Sequence, residues 1–432
     1  MRFDRSDSLR ATAHDLIPGG CHAYAKGDDQ YPQRSPGFIS HGSGSHVWDV
    51  DGNEYIEFGQ GNRSVVLGHA FPSVVAAATR AISQGTNFSR PAEIEVRAAE
   101  ELLSLVPAAE MVKFCKNGSD ATTAAVRLAR AHTGRDRILC CRDQPFFAMN
   151  DWFIGTTPLD AGVPRSVSEL TSTFGYNEHD ELRRQFAEDP DGIAAVIMEP
   201  AKYDPPADGY LQAVGELCHE YGALFILDEM ITGFRWHNGG GQAFYDVEPD
   251  LACWGKALGN GFSVSALTGK RRYMERGGLR HHDPRVFLLS TTHGGETHGL
   301  AAAIATIETY KREPVIETLF ARGQRLIDEG QPIIDKHGLQ DYFQIRGLPC
   351  CLTYRTLGHN GAPCQTMRTL FLQETIRRGL LATSLVVGYS HSDEDIDRTL
   401  EAIDGALAVY AAALHDGPER FLFGPPAIPV YR

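Results

Sequence analysis

Ala223-Leu224-Phe225-Ile226-Leu227-Asp228-Glu229-Met230 is an apolar run that ends on two acids, and an earlier stretch, Ile193-Ala194-Ala195-Val196-Ile197-Met198-Glu199-Pro200, is built the same way. Strands with one wet face alternate apolar and polar residues; short unbroken apolar runs belong to strands buried on both faces. Between the two runs, residues 214–221 carry apolar side chains at helical spacing. Strand, helix, strand in that order predicts a βαβ unit, hence an α/β fold with a mostly parallel central sheet flanked by helices. An acid that closes such a strand stands at the C-terminal mouth of the sheet, where open α/β sheets bind ligands.

Working outward, residues 1–60 alternate turn signals such as Pro18-Gly19-Gly20 with short apolar pieces, and 46–56 reads as a hairpin turning at Asp51-Gly52. From Pro72 the spacing is helical, with Val74, Val75, Ala78 and Ile82 expected on one buried face, and 93–105 is a second amphipathic stretch. Residues 155–176 are rich in Thr, Ser and Pro and read as a long loop, either a lid or a plain surface excursion. Helical patterns at 300–310, 315–336, 367–378 and 393–410 follow. The expected division is a large domain over 61–310, a smaller α+β domain over 311–432, and an N-terminal segment, 1–60, packing with the small domain.

The 432 residues give material for a deep site, and 41 Lys plus Arg against 55 Asp plus Glu leave a formal charge of −14. That balance argues against a nucleic-acid or anionic-membrane partner. Nine cysteines form no CxxC pair, which fits reduced thiols and no metal site. The polar start Met1-Arg2-Phe3-Asp4-Arg5 is unlike a signal peptide, and no long apolar span is present. A cytoplasmic location is expected.

Asp228 and Lys256 are the candidates to carry the chemistry, with a helix-capping or surface carboxylate and a plain solvated lysine as the competing readings. A buried carboxylate needs a cationic partner or it takes up a proton. The ring nitrogen of pyridoxal phosphate is such a partner, and an acid there keeps the ring protonated as an electron sink. Lys256, in the Gly-flanked turn Gly255-Lys256-Ala257-Leu258-Gly259, is placed to form a Schiff base with that cofactor. Lys116-Asn117-Gly118-Ser119-Asp120 precedes a helical stretch at 121–131, so Gly118, the Ser119 hydroxyl and the helix N-terminus can hold a phosphate. A plain helix cap by Ser119 or Asp120 is the competing reading. Phe146 and Phe147 offer aromatic faces for the ring, with core packing as the alternative.

Asn117-Gly118-Ser119-Asp120-Ala121, Asp228-Glu229-Met230-Ile231-Thr232-Gly233-Phe234-Arg235, Gly255-Lys256-Ala257-Leu258-Gly259-Asn260-Gly261 and Thr291-Thr292-His293-Gly294-Gly295-Glu296-Thr297 occur in this order. Together they resemble class III aminotransferases of PLP fold type I, within them the group of glutamate-1-semialdehyde 2,1-aminomutases, over nearly the whole chain. The resemblance implies pyridoxal 5'-phosphate as cofactor, bound to Lys256 as the internal aldimine, with Lys256 also moving the proton between Cα and C4′. It further implies Asp228 on the pyridinium, Gly118 and Ser119 on the phosphate, and Phe146 stacked on the ring. Thr292 matches the threonine that reaches the phosphate of the other subunit, implying a homodimer with shared sites. Glu199 matches the family's Glu-Pro pair near the cofactor.

Departures from the family pattern lie on the substrate side. Phe146-Phe147-Ala148 replaces Tyr-His-Gly or Phe-His-Gly, which makes Phe147 part of a more apolar substrate wall. Lys26 stands where the aminomutases place a carboxylate-binding arginine, and a lysine is a point charge rather than a bidentate fork. Gly59-Gln60-Gly61-Asn62-Arg63-Ser64 replaces their tryptophan-containing segment, so Arg63 is expected to bind an acidic group of the amino donor or acceptor, a surface salt bridge being the alternative. These changes favour an aminotransferase working by a ping-pong mechanism between an amino donor and a carbonyl acceptor. A resemblance to enzymes of amino-sugar and surface-polysaccharide pathways points to an amino-sugar or amino-acid related substrate. The alternatives are an intramolecular aminomutase and a catalytically silent binding subunit of the same fold.

Overall fold

The two apolar runs are neighbouring parallel strands near the middle of a seven-stranded sheet, in a computed structural model that describes residues 1–144 and 146–429. In chain order the strands are β1 (Ile39–Ser43), β2 (His46–Asp49), β3 (Glu54–Glu57), β4 (Met111–Cys115), β5 (Arg137–Cys141), β6 (Thr171–Phe174), β7 (Ile193–Met198), β8 (Leu224–Asp228), β9 (Leu251–Trp254), β10 (Ser265–Gly269), β11 (Phe343–Arg346), β12 (Thr353–Thr356) and β13 (Leu380–Leu381). The chain divides into two units, one of Met1–Phe71 with the described part of Glu317–Arg432, the other of Pro72–Ile316.

The Pro72–Ile316 unit holds the large sheet, ordered β4-β10-β9-β8-β7-β5-β6. Only β10 runs against its neighbours; β5 to β9 are parallel where they pair. Every residue of β7 and of β8 is buried, as unbroken apolar runs require. Helices Gly118–Thr133 and Tyr210–Glu220 pack their apolar sides on this sheet, with Leu128, Val214 and Leu217 in the same core as Val196 and Ile226. Burying a side chain of that size contributes about 1.5–3 kcal/mol.

In the other unit β1, β2 and β3 form an antiparallel meander, and β13 adds to β3 in parallel, pairing Leu380 with Ile56. Val47, Tyr55, Leu372, Ile376 and Leu381 share its small core, which joins N-terminal and C-terminal chain segments. The turn at Asp51-Gly52 lies between β2 and β3, where Gly52 has φ 85°.

Two expectations change. The helix Pro72–Ser83 buries Val74, Ala78 and Ala81, leaving Val75 and Ile82 at 40% and 54% exposure. At about 100° per residue, positions 74, 78 and 81 share one stripe, whereas 75 and 82 lie roughly 80–100° round from it. The stretch 155–176 is not a structureless loop. It contains a short helix, Arg165–Ser168, and the edge strand β6, whose Thr171 and Phe174 face the core. No helix among the described residues is long and apolar enough to cross a membrane.

Candidate active site

Five parallel strands deliver the candidate residues. Gly118 follows β4, Phe146 follows β5, Glu199 follows β7, Asp228 closes β8 and Lys256 follows β9. The strand register sets Met198 beside Leu227, so the next residues, Glu199 and Asp228, leave the sheet side by side. Both are buried, at 3% and 2% exposure.

Asp228 accepts the Met230 amide at 2.9 Å. Burial is the largest influence on its carboxyl and pushes it up to about 7; the Glu199 charge adds to this, and Lys256 pulls the other way. Glu199 is clamped through its backbone: its amide donates to Gln144 Oε1 at 2.7 Å, and Gln144 Nε2 donates to its carbonyl at 2.8 Å. Its Oε2 is buried with no hydrogen-bond partner among the described residues. Two buried acids thus leave the sheet side by side, and such a site favours a cationic guest.

Lys256 opens a single 3₁₀ turn, Lys256–Gly259, with its backbone at φ 45°, a left-handed conformation unusual for a side-chain-bearing residue. Close approach requires the glycine before it. A Cβ on Gly255 would stand 2.6 Å from Met230 Sδ and 2.6 Å from Ser265 Oγ; one on Gly118 would stand 2.8 Å from the same sulfur. Met230 therefore bridges the start of the Gly118–Thr133 helix and the lysine turn, a contact that sequence spacing gave no sign of.

At that helix start the cap comes from Asp120, which accepts the Asn117 amide at 3.0 Å. Ser119 is not the cap. Its oxygen accepts the Met149 amide at 3.0 Å, which leaves the hydroxyl hydrogen available to an anion held by the helix N-terminus. Thr122 Oγ1 donates to the Phe147 carbonyl at 2.8 Å, so the segment 146–149 is pinned to this helix, while Gln144 pins its other end to β7. Phe146 is half exposed and packs edge-on to Phe153 at 5.8 Å. Phe147 is different from expectation: at 2% exposure it belongs to the core, edge-on to Phe153 at 5.5 Å, and presents no face to a substrate.

Thr292 has an exposed side chain, and its carbonyl accepts Asn87 Nδ2 at 2.9 Å. Lys26 and Arg63 belong to the other unit. Lys26 is exposed at the end of the short helix Tyr24–Lys26. Arg63 ends a rarer feature. Gln60, Gly61, Asn62 and Arg63 have φ of 48°, 57°, 59° and 68°, and the Arg63 and Ser64 amides bond to the Gly59 and Gln60 carbonyls at 2.9 Å. This is one turn of left-handed helix, which costs about 1–2 kcal/mol per side-chain-bearing residue. The buried Gln60 side chain wedges it in place over Gly388, where a Cβ would meet Gln60 Nε2 at 2.2 Å. Among the described residues no cluster of His, Cys, Asp or Glu could hold a metal ion.

Residues 29–407 match the family model for class-III aminotransferases. The chain is 33% identical over 419 residues to a 3-aminobutyryl-CoA aminotransferase of Cloacimonas acidaminovorans, covering 94% of this chain and 98% of that one. It is 34% identical over 432 residues to a glutamate-1-semialdehyde 2,1-aminomutase of Heliobacterium modesticaldum, with 95% and 98% covered. The solved structure of the FumI protein of Sphingopyxis sp. MTA144, in its PLP internal aldimine form, matches with a TM-score of 0.88 at 28% identity, covering 99% of this chain and all of that one. The glycine approaches at 118 and 255, the Ser119 hydroxyl at the start of the Gly118–Thr133 helix and the buried acid pair fit a phosphate-bearing pyridinium. A fold of type I, a family match over most of the chain and a site of this chemistry converge: the chain belongs to the class-III aminotransferases and is an enzyme whose cofactor is pyridoxal 5'-phosphate.

Proposed function

We propose that this enzyme transfers an amino group between separate small molecules in two half-reactions, releasing the carbonyl product of the donor before the acceptor enters. One of the two substrates carries an acidic group bound by Arg63, and an amino-sugar or amino-acid related compound meets that description. The observation that carries the substrate reading is the strained left-handed turn Gln60–Arg63. Backbone strain of this kind persists where surroundings enforce it, and it clusters at sites of function.

Bound at the strand mouths, pyridoxal phosphate supplies an aldehyde that exchanges with amino groups and a ring that accepts the electrons of the breaking Cα–H bond. In this reading Lys256 Nζ anchors the cofactor, then takes the proton from the substrate Cα and returns it on the cofactor side. Asp228 keeps the proton on the ring nitrogen, with Glu199 beside it reinforcing the negative potential there. Gly118 lets the backbone close on the phosphate, Ser119 donates to it, and Phe146 covers one ring face and keeps water out. Thr292 serves the phosphate of a second copy, which makes the working form a homodimer, located in the cytoplasm. Lys26 is placed here as a second, weaker anchor for anionic substrate. No nucleic acid or membrane takes part.

Adding amino donors in turn to the yellow protein tests this. The correct donor bleaches the visible band and releases a keto or aldehyde product in one-to-one amount; a protein that no donor bleaches lacks the activity. The second reading, the aminomutase, is favoured by relatives of that name at 34% identity. It requires glutamate 1-semialdehyde to be converted to its isomer 5-aminolevulinate with no net release of a carbonyl compound that has lost its amino group.

A further inference from the structure

Lys116 has no part in the chemistry above, yet three site segments meet on it. It lies immediately before Asn117-Gly118-Ser119. Its carbonyl accepts Ser263 Oγ at 3.0 Å, and Ser263 is on the stretch leaving the Lys256–Gly259 turn. Its ammonium forms an ion pair and hydrogen bond with Glu296 Oε2, across 180 residues of chain. Glu296 stands immediately before the helix Thr297–Arg312, directly after the Thr292 turn, and its other oxygen is paired to His293 Nδ1 at 2.8 Å. Farther along, Thr297 is fixed to Thr86 and Gly85 at 3.0 and 2.9 Å, next to the Asn87 that holds the Thr292 carbonyl.

The two side chains are 22% and 15% exposed, so the pair is better shielded than a surface bridge. The Lys116 hydrogen bond is the main cause that holds the Glu296 carboxyl below its ordinary range, with His293 and His298 adding to it. Without the pair, the Thr292 turn would keep, among the described residues, the His293 contact to Glu296, the Asn87 amide and the Thr297 bonds to Gly85 and Thr86, none of which ties it to the Gly118–Thr133 helix.

We propose that the Lys116–Glu296 ion pair is a positioning device that locks the Thr292 turn to the phosphate end of the Gly118–Thr133 helix. One interaction then sets both the segment that holds the cofactor phosphate in its own subunit and the segment that reaches the phosphate of the partner. This rests on the dimeric reading of Thr292 given above. A consequence is coupling: phosphate bound at one site orders Gly118-Ser119, hence Lys116, hence the Thr292 turn offered to the other site, so the two sites load with positive cooperativity.

The test removes the cofactor from the full-length protein and titrates pyridoxal phosphate back, following binding by fluorescence quenching and oligomeric state by sedimentation. Glu296→Gln and Lys116→Gln each weaken cofactor binding about tenfold and flatten its cooperativity, whereas the exchange Lys116→Glu with Glu296→Lys returns to within about threefold of the parent. Lys116→Arg, which keeps the charge, changes binding little, and circular dichroism shows which variants fold. The proposal is overturned if Glu296→Gln leaves binding unchanged or tightens it, since Lys116 would then act on the phosphate directly with Glu296 only restraining it. It is equally overturned if the exchanged pair binds no better than the two single losses multiplied. Thr292→Ala in the same assay separates this from the reading beneath it. If that variant binds normally and the protein sediments as a monomer, the shared-site reading fails; if it binds weakly while Glu296→Gln does not, only the lock fails.

Discussion

Asp228 shows how a site residue trades stability for chemistry. Its carboxyl is raised to about 7, chiefly by burial and then by Glu199. An acid whose value rises on folding binds its proton more tightly in the folded state, so its contribution to stability falls as pH climbs from the unfolded value near 4 to about 7 and is flat above. Asp228→Asn in cofactor-free protein is therefore expected to raise stability at pH 8 by about 1–3 kcal/mol and to change it little at pH 4. The same variant should lose cofactor affinity and at least about a thousandfold in kcat. Thermal unfolding at the two pH values checks the first part, and equal shifts at both would contradict it. Arg63 makes the same trade through its backbone. Arg63→Gly should stabilise the protein by about 1 kcal/mol, because glycine tolerates φ 68°, and raise KM for the acidic substrate more than tenfold with kcat less affected. A stabilised variant with unchanged KM would make the turn a structural curiosity and remove Arg63 from substrate binding.

Elements place these residues with different margins. The lysine turn depends on Gly255, not through unusual dihedrals, since its φ is 179°, but through crowding by Met230 and Ser265. Gly255→Ala is expected to cost about 1–3 kcal/mol by overpacking and to weaken cofactor retention. Adding Met230→Ala should recover part of that loss, as spectral titration with pyridoxal phosphate would reveal; no recovery would mean that Met230 is not the obstacle. Much of this level was legible beforehand. Asp228 and Glu199 could be read because β7 and β8 are fully buried, and full burial leaves an unbroken apolar run in the sequence. The strands β4 and β10 were not read, since polar residues interrupt them, as in Met-Val-Lys-Phe-Cys, and the four-residue apolar run of β9, Leu-Ala-Cys-Trp, is too short to mark a strand by itself. Gln144, Met230 and the Lys116–Glu296 pair left no local signature either, because their meaning lies in contacts that topology creates. Phe147 failed in the opposite way: two adjacent aromatic residues look alike in sequence, and only the backbone direction after β5 decides which one enters the core.

At the scale of the whole molecule, the question is whether one chain suffices. Val75, Ile82, Phe88 and Val96 are exposed large apolar side chains within residues 75–96 of the Pro72–Ile316 unit. They are the kind of residues that a second copy would cover, and Thr292 has an exposed side chain in the same unit. Complementation decides whether it works across subunits. Lys256→Ala subunits have no functional lysine but an intact Thr292; Thr292→Ala subunits have the reverse. If Thr292 completes the partner's site, a mixed dimer contains one site with Lys256 from one chain and Thr292 from the other. Random mixing of the two variants, after denaturation and refolding together, should then restore about a quarter of the parent's sites, because half the dimers are mixed and each has one good site. If Thr292 instead serves its own chain's cofactor, every site lacks one of the two residues, and mixing restores nothing beyond the sum of the separate variants.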